Sequence, residues 1–316
     1  MASLAKLMIA YFPIDTDAFE LKMNARAYDG PLIEVDADTY HSQVALRRTI
    51  ARSEHGAYHV CPECWHEAAW ETLELILTDM ATHSASHFHL NVEGRRMSWR
   101  NDLLGDEFEV IAGDLGTLPA DALSPLDLAG AQVQEDLILM HPSPSGALVC
   151  VAGHLCFASG WSLPEKLGLP FLEIHAHIPQ FVDRIGVASD LLMRRLRPGR
   201  PVMRLNWTIS ESDDLNRAPS RRSHWETKGR EVTESNAGER CFFRVEKQTL
   251  TRLARTGATL FTIHTYINTI AEVCADPERA RILRGAVAAM SPETVAYKHA
   301  GDYYDALVAY LNRRVG

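Results

Sequence analysis

Apolar residues recur along the chain first at helical spacing, then at strand spacing, then at helical spacing again. In "DADTYHSQVALRRTIARSEHG", residues 36–56, Asp38 or Thr39 stands as a cap, basic residues crowd the end and Gly56 stops the run, which predicts a helix. "PECWHEAAWETLELILTDMATH", 62–83, places Ala69, Leu73, Ile76, Leu77 and Met80 at helical spacing, with acids early in the segment. Residues 84–125 are punctuated by Gly94, Gly105, Gly113, Gly116, Pro119 and Pro125 and read as connecting structure around a helical N-terminal region. "LDLAGAQVQEDLILMHP" begins helical and runs into an apolar stretch. "GALVCVAGHLCFASG", 146–160, reads as a buried hairpin or strand pair with Gly153 near its turn. "GWSLPEKLGLPFLEIHAHIPQF", 160–181, looks like a buried strand ending on His175.

The strand period is clearest in "PVMRLNWTIS", 201–210, where Met203, Leu205, Trp207 and Ile209 alternate with Val202, Arg204, Asn206 and Thr208. "CFFRVEKQTLTRL", 241–253, begins as a strand and "TGATLFTIHTYINTI", 256–270, is another. Residues 211–240 are polar and charged, and are predicted as a long loop or flap outside the core. "DPERARILRGAVAAM" is a helix with Asp276 as cap and Pro277 in the first turn, and "GDYYDALVAYLNRR" is another with Tyr304, Leu307, Val308 and Leu311 on one face. The expected class is α+β. Three parts follow: a helical N-terminal region over 1–125, a mainly antiparallel sheet domain over 126–275 and C-terminal helices over 276–316.

A chain of 316 residues with 46% hydrophobic composition can build one large core or two modest ones. Its net charge of -9 argues against nucleic acid or an anionic membrane surface as the main partner. The apolar opening, residues 7–12, is too short for a secretory signal, and no run approaches the ~20 apolar residues that span a bilayer. The expected location is cytoplasmic, which keeps the six cysteines reduced. Cys150, Cys156, Cys241 and Cys274 sit in apolar contexts and read as small core residues.

Four chemical readings remain. Cys61, Cys64, His83 and His87 spell C-x2-C-x18-H-x3-H, a set that resembles a structural zinc site with a lengthened middle gap. The same C-x-x-C also suits a redox pair at a helix start, or two unremarkable thiols. Glu135 and Asp136, in "VQEDLILM", offer a carboxylate against an apolar wall that would bind an ammonium, or else solvated helix acids. No phosphate loop, dinucleotide fingerprint or G-x-S-x-G elbow occurs, since "GDLGTLPA" and "FASGWS" lack the spacings. Finally, His175 and His177 close an apolar stretch rich in Leu, Phe and Trp, the surroundings a haem needs, with Arg204 and Arg244 on strands as partners for its propionates.

Several segments together resemble the haem-dependent oxidative N-demethylase family: "VQEDLILM", "CFASGWSLPEKLGLPFLEIHAHIP", "RLNWTI", "FRVEKQTLTRLARTGATLFTIHTY" and "MSPETVAYKHAGDYYDALVAYL", in the family's order. The resemblance implies a PAS-like antiparallel sheet carrying haem b. It also implies oxidative N-demethylation of a small methylated amine with O2, giving formaldehyde, with electrons from a separate flavin or iron–sulfur reductase. His175 matches the histidine of the family's I-H-x-P-V-P element and is the implied axial ligand. His177 stands where proline is usual and is the alternative ligand. Gln180 stands where glycine is usual. Glu165 matches the acid of an E-K element, and the amine is expected on Glu165, Glu135 or Asp136. Asn206, Trp207, Arg244, Glu246, Gln248 and Thr249 match other motif positions, with pocket or packing roles. His264 replaces a common arginine and would alter propionate pairing. Two other readings stand beside this one: a haem-binding PAS-type sensor and a non-catalytic small-molecule binder.

Overall fold

The computed structural model describes residues 9–54 and 56–316. Residues 7–8 of the apolar opening, and His55 near the end of the first predicted helix, lie outside the described residues. After an extended opening segment, a two-residue strand β1 (Arg26–Ala27) precedes helix α1 (Tyr40–Ser53), close to the predicted one. A second short strand, β2 (His59–Val60), leads into α2 (His66–His83), whose Leu73, Ile76, Leu77 and Met80 are wholly buried, as their spacing requires.

Residues 84–125 are not mere connection. They hold a three-stranded antiparallel sheet, β3 (Phe88–Glu93), β4 (Arg96–Asn101) and β5 (Asp106–Ile111). The glycines that read as breaks close its turns: Gly94, with φ 62°, sits in the two-residue link between β3 and β4, and Gly105, with φ 71°, ends the next. Phe88, Met97, Trp99 and Val110 form its buried face, with Phe88 stacked on Trp99 at 5.6 Å between ring centres.

The helix predicted from residue 126 is one short piece, α3 (Pro125–Gly130), whose first turn is capped by the Ser124 hydroxyl. Glu135 and Asp136 therefore lie at the start of a strand, β6 (Asp136–Pro142), and not on a helix. The apolar run drives this: Leu137 and Leu139 enter one core and Ile138 and Met140 another, so the strand is buried on both faces. Residues 146–160 likewise hold a single strand, β7 (Leu148–His154), rather than a hairpin. Gly153 is inside it because a Cβ there would stand 2.8 Å from Leu163 Cδ1 and 3.1 Å from the Leu137 carbonyl oxygen. The expected strand ending on His175 is replaced by one helical turn, α4 (Phe171–Ile174), with His175 as its C-cap. A π-turn over Val182–Gly186 then leads into α5 (Val187–Arg194).

Strand β8 (Val202–Ser210) is as predicted. The polar segment after it carries α6 (Arg222–Arg230) and α7 (Ala237–Arg240), and part of it is core. Glu211 and Arg217 are buried as a two-pronged ion pair at 2.7 and 3.3 Å, with the Arg217 guanidinium over the buried Trp225 ring. A charged stretch can enter an interior when its charges neutralise one another. Strands β9 (Phe242–Arg252) and β10 (Thr259–Thr269) follow, then α8 (Ile270–Val273), α9 (Pro277–Ala288), α10 (Pro292–Tyr297) and α11 (Tyr304–Val315).

The large sheet has the order β1-β8-β9-β10-β6-β7-β2 and every neighbouring pair is antiparallel. Five long strands make its body, and the two-residue strands only border it. Register decides which side chains share a face. Leu137, Leu139 and Leu260 pack towards α2 and the small sheet, and Phe243 and Val245 of the same face pack under α9 and α11. The opposite face carries Ile138, Met140, Leu250 and Ile263. It is covered by the segment from Leu155 to Leu196 and becomes the floor of a cavity.

Candidate active site

The cavity has a volume of about 780 Å³. Its floor is set by the pairing Leu250↔Val202, Gln248↔Arg204 and Glu246↔Asn206 across β8 and β9. Along those two strands the floor passes from apolar to charged within four residues. The apolar half is completed by Ile138, Met140, Phe261 and Ile263 from below and by Phe171, Phe181 and Met193 from above. The polar half is bounded by Thr208, Trp225, Tyr297 and Lys298. Phe19, Leu21, Met23 and Ala25, alternate residues of the extended opening segment, close one side.

His175 lines the apolar half. Its Nδ1 lies 2.8 Å from the Phe171 carbonyl oxygen, which can only accept, so Nδ1 carries the proton and Nε2 keeps the lone pair. The ring is clamped between Phe181, stacked at 4.7 Å and 16°, and Phe171 at 4.5 Å. Burial, helped by the Arg204 and Lys166 charges, pushes its pKa down to about 4, so the ring is neutral near pH 7. A neutral imidazole with one nitrogen hydrogen-bonded to backbone and the other free is the form that ligates a metal. His177 also borders the cavity but is exposed, with its ring 5.7 Å from Tyr297.

Arg204 reaches the cavity from the floor. It forms no ion pair among the described residues, and its buried Nε has no acceptor. Burial lowers its pKa, with Glu246 as the one opposing charge. Such a guanidinium gains most from an anion that enters the cavity. Glu165 borders the mouth and is exposed.

The other expected residues stand elsewhere. Asp136 is buried outside the cavity, where its Oδ1 accepts from Arg47 Nη1 at 2.7 Å and from the Cys156 and Phe157 N–H groups at 2.7 and 3.0 Å. Glu135 and His264 face each other on the opposite side of the sheet, with Nδ1 donating to Oε1 at 2.8 Å, and the Glu34 N–H donates to the same oxygen. The alternation of β10 puts Phe261 and Ile263 into the cavity and His264 away from it. Trp207 points to the far face too, against Phe243, and contributes its carbonyl. Arg244 is tied to the Phe157 and Asp214 carbonyl oxygens and is likewise outside the cavity. Cys61 and Cys64 precede α2 and His83 ends it, so about 27 Å of helix separates the two halves of the expected zinc set. No three His, Cys, Asp or Glu side chains among the described residues are gathered to share a metal ion.

Of the cavity's charged groups, Glu246 was read only as a motif position with a pocket or packing role, and Lys298 was given no role. Glu246 Oε2 accepts from Gln248 Nε2 at 2.8 Å and from Asn206 Nδ2 at 3.3 Å, and its nearest cation is Arg244 Nε, 3.9 Å from Oε1. The signal for it was present: Arg244, Glu246 and Gln248 alternate with buried Phe243 and Val245, and polar residues on the inner face of a central strand point to a polar interior. Lys298 is the C-cap of α10. Its Nζ donates to the Trp207 carbonyl at 3.1 Å and lies 5.4 Å over the Trp207 ring and 5.8 Å over that of Phe19. Burial pushes its pKa down to about 8, against the pull of Glu246. Nothing local in "AYKHAGD" distinguishes this lysine from a solvated one.

No helix among the described residues is long and apolar enough to cross a membrane. A comparison with known families matches residues 26–308 to the model described as haem-dependent oxidative N-demethylase, alpha subunit-like.

Proposed function

The chain belongs to the haem-dependent oxidative N-demethylase, alpha subunit-like family, and from that premise we propose that it oxidises a methylated amine at a haem b held by His175. The residues fit that group. The single observation that carries the reading is the free Nε2 of a neutral, backbone-anchored His175 on the wall of an apolar cavity. Arg204, buried without an acceptor on the same cavity, fits a haem propionate. When bound, the haem supplies iron-centred activation of O2. A five-strand antiparallel body flanked by helices suits the PAS-like arrangement expected of the family.

The chain's own residues then have distinct tasks. His175 stays neutral, and the Phe171 carbonyl fixes its tautomer and tilt. Glu246 receives the ammonium form of the substrate, because it is the cavity carboxylate that is half-buried and held by neutral amide donors, whereas Glu165 is solvated at the mouth. A carboxylate set in a low-dielectric wall orients a cation more strongly than one in water. The apolar roof of Phe171, Phe181 and Met193 excludes water from the reacting methyl group. The balance is one methylamine, one O2, two electrons and two protons in; the demethylated amine, formaldehyde and water out. Those electrons come from a separate flavin or iron–sulfur reductase.

The test is formaldehyde release from a secondary methylamine by the haem-loaded chain with a reductase. Glu246→Gln removes the charge but keeps the shape. It is expected to raise KM for the amine about tenfold or more, the factor for loss of one charge-assisted hydrogen bond. An unchanged KM would move the amine to Glu165.

A further inference from the structure

Glu246 and Lys298 carry opposite charges into one cavity and do not pair with each other. Two uncharged amides fix the direction of the Glu246 carboxylate, and its one ion-pair contact among the described residues is a long one, Oε1 to Arg244 Nε at 3.9 Å. Lys298 spends one of its three N–H bonds on the Trp207 carbonyl and rests on two aromatic faces, and no acid lies within ion-pair distance of it among the described residues. A third group is also unsatisfied. Trp225 is 2% exposed, borders the same cavity, and its indole N–H is buried with no acceptor. The Arg217 guanidinium over its ring is already paired with Glu211 and offers the indole N–H no acceptor.

A simple dialkylammonium ion answers only part of this arrangement. It has donors for Glu246 but no acceptor for Lys298 or Trp225, and its charge repels the lysine. Leaving a buried cation and a buried N–H unsatisfied is costly. A ligand that carries an anionic acceptor beside its ammonium satisfies all three groups.

We infer that the substrate is a zwitterion, an N-methylated amino acid, whose ammonium sits on Glu246 and whose carboxylate sits on Lys298 with the Trp225 N–H as a second donor. The inference rests on the N-demethylase reading above and narrows its substrate class. The porphyrin's own carboxylates are the competing occupants of Lys298, with Arg204 then serving only one of them.

The experiment is calorimetric titration of the full chain, haem-loaded and haem-free, with N,N-dimethylglycine and with dimethylamine. The expected result is at least tenfold tighter binding of dimethylglycine, with Lys298→Met reducing that ratio towards one while the Soret band persists. Trp225→Phe is expected to lower the ratio in part, and serves if Lys298→Met fails to fold. Equal or tighter binding of dimethylamine by the unsubstituted chain overturns the inference. So does loss of haem in Lys298→Met, which would assign the lysine to a propionate. A colourless chain that still prefers dimethylglycine would sink the haem reading alone.

Discussion

Replacing His175 by glycine is expected to abolish stable haem binding, and imidazole added to the solution should restore the haem spectrum. The tautomer of this side chain is fixed by backbone, through the 2.8 Å bond from Nδ1 to the Phe171 carbonyl. Loss of a group that merely orients a metal ligand costs about 10–100-fold in affinity. Loss of the ligand itself should exceed that. Rescue by imidazole separates a missing ligand from a damaged fold, because a collapsed cavity would not admit it. The same substitution at His177 should leave the Soret band in place, since that ring is exposed and its shape is not fixed by stacking between two aromatics. The pH dependence follows from the depressed pKa. An unfolded imidazole takes its proton near pH 6.5, and His175 only near 4. The unfolded chain therefore binds more protons across that interval. Stability at this position is full above pH 6.5 and falls as the pH drops towards 4. An acid titration of the haem-free chain followed by circular dichroism should show stability kept down to about pH 6.5 and declining below it.

The second large effect is structural. Arg47→Met should destabilise the fold by about 3–5 kcal/mol, measured by chemical denaturation. Arg47 is wholly buried, donates to Asp136 at 2.7 Å, and lies 4.9 Å over the Phe157 ring. Its removal strands the Asp136 carboxylate in the interior. That carboxylate also receives the Cys156 and Phe157 N–H groups, so the pair anchors the chain where β7 departs towards the cavity roof. Replacing both partners, Arg47→Met with Asp136→Leu, removes the uncompensated charge and should recover part of the loss.

Much of this architecture could be read from periodicity. Helices α2 and α11 followed their apolar spacing and β8 its alternation, because long elements with one buried face leave a repeated signal, while α1 and α9 were legible from their capping and end signals. The small sheet did not, since each of its strands is six residues long and glycine at a tight turn looks like glycine in a loop. The segment after Ser210 was misjudged for a different reason. Composition reports charge, not pairing, and Glu211 with Arg217 is neutral as a unit. The site was partly legible. His175 and Arg204 both reach the cavity, as their setting in an apolar run and on a strand suggested. Asp136 was drawn instead to Arg47, 89 residues away in sequence, and Glu135 to His264, 129 residues away. Such partners are chosen by tertiary approach, which no local window contains. Lys298 is the sharpest case. Its position is set by the end of a six-residue helix and the positive φ of His299, and only the folded chain shows that this end borders the same cavity as Glu246.

The most direct test of the central claim is the optical and magnetic spectrum of the full chain purified with haem, compared with that of His175→Gly. A Soret band with the signature of a ferric haem bound by one imidazole, lost in the variant and restored by free imidazole, is the predicted result. A folded chain that takes up no haem, or one whose spectrum is indifferent to position 175, would contradict it.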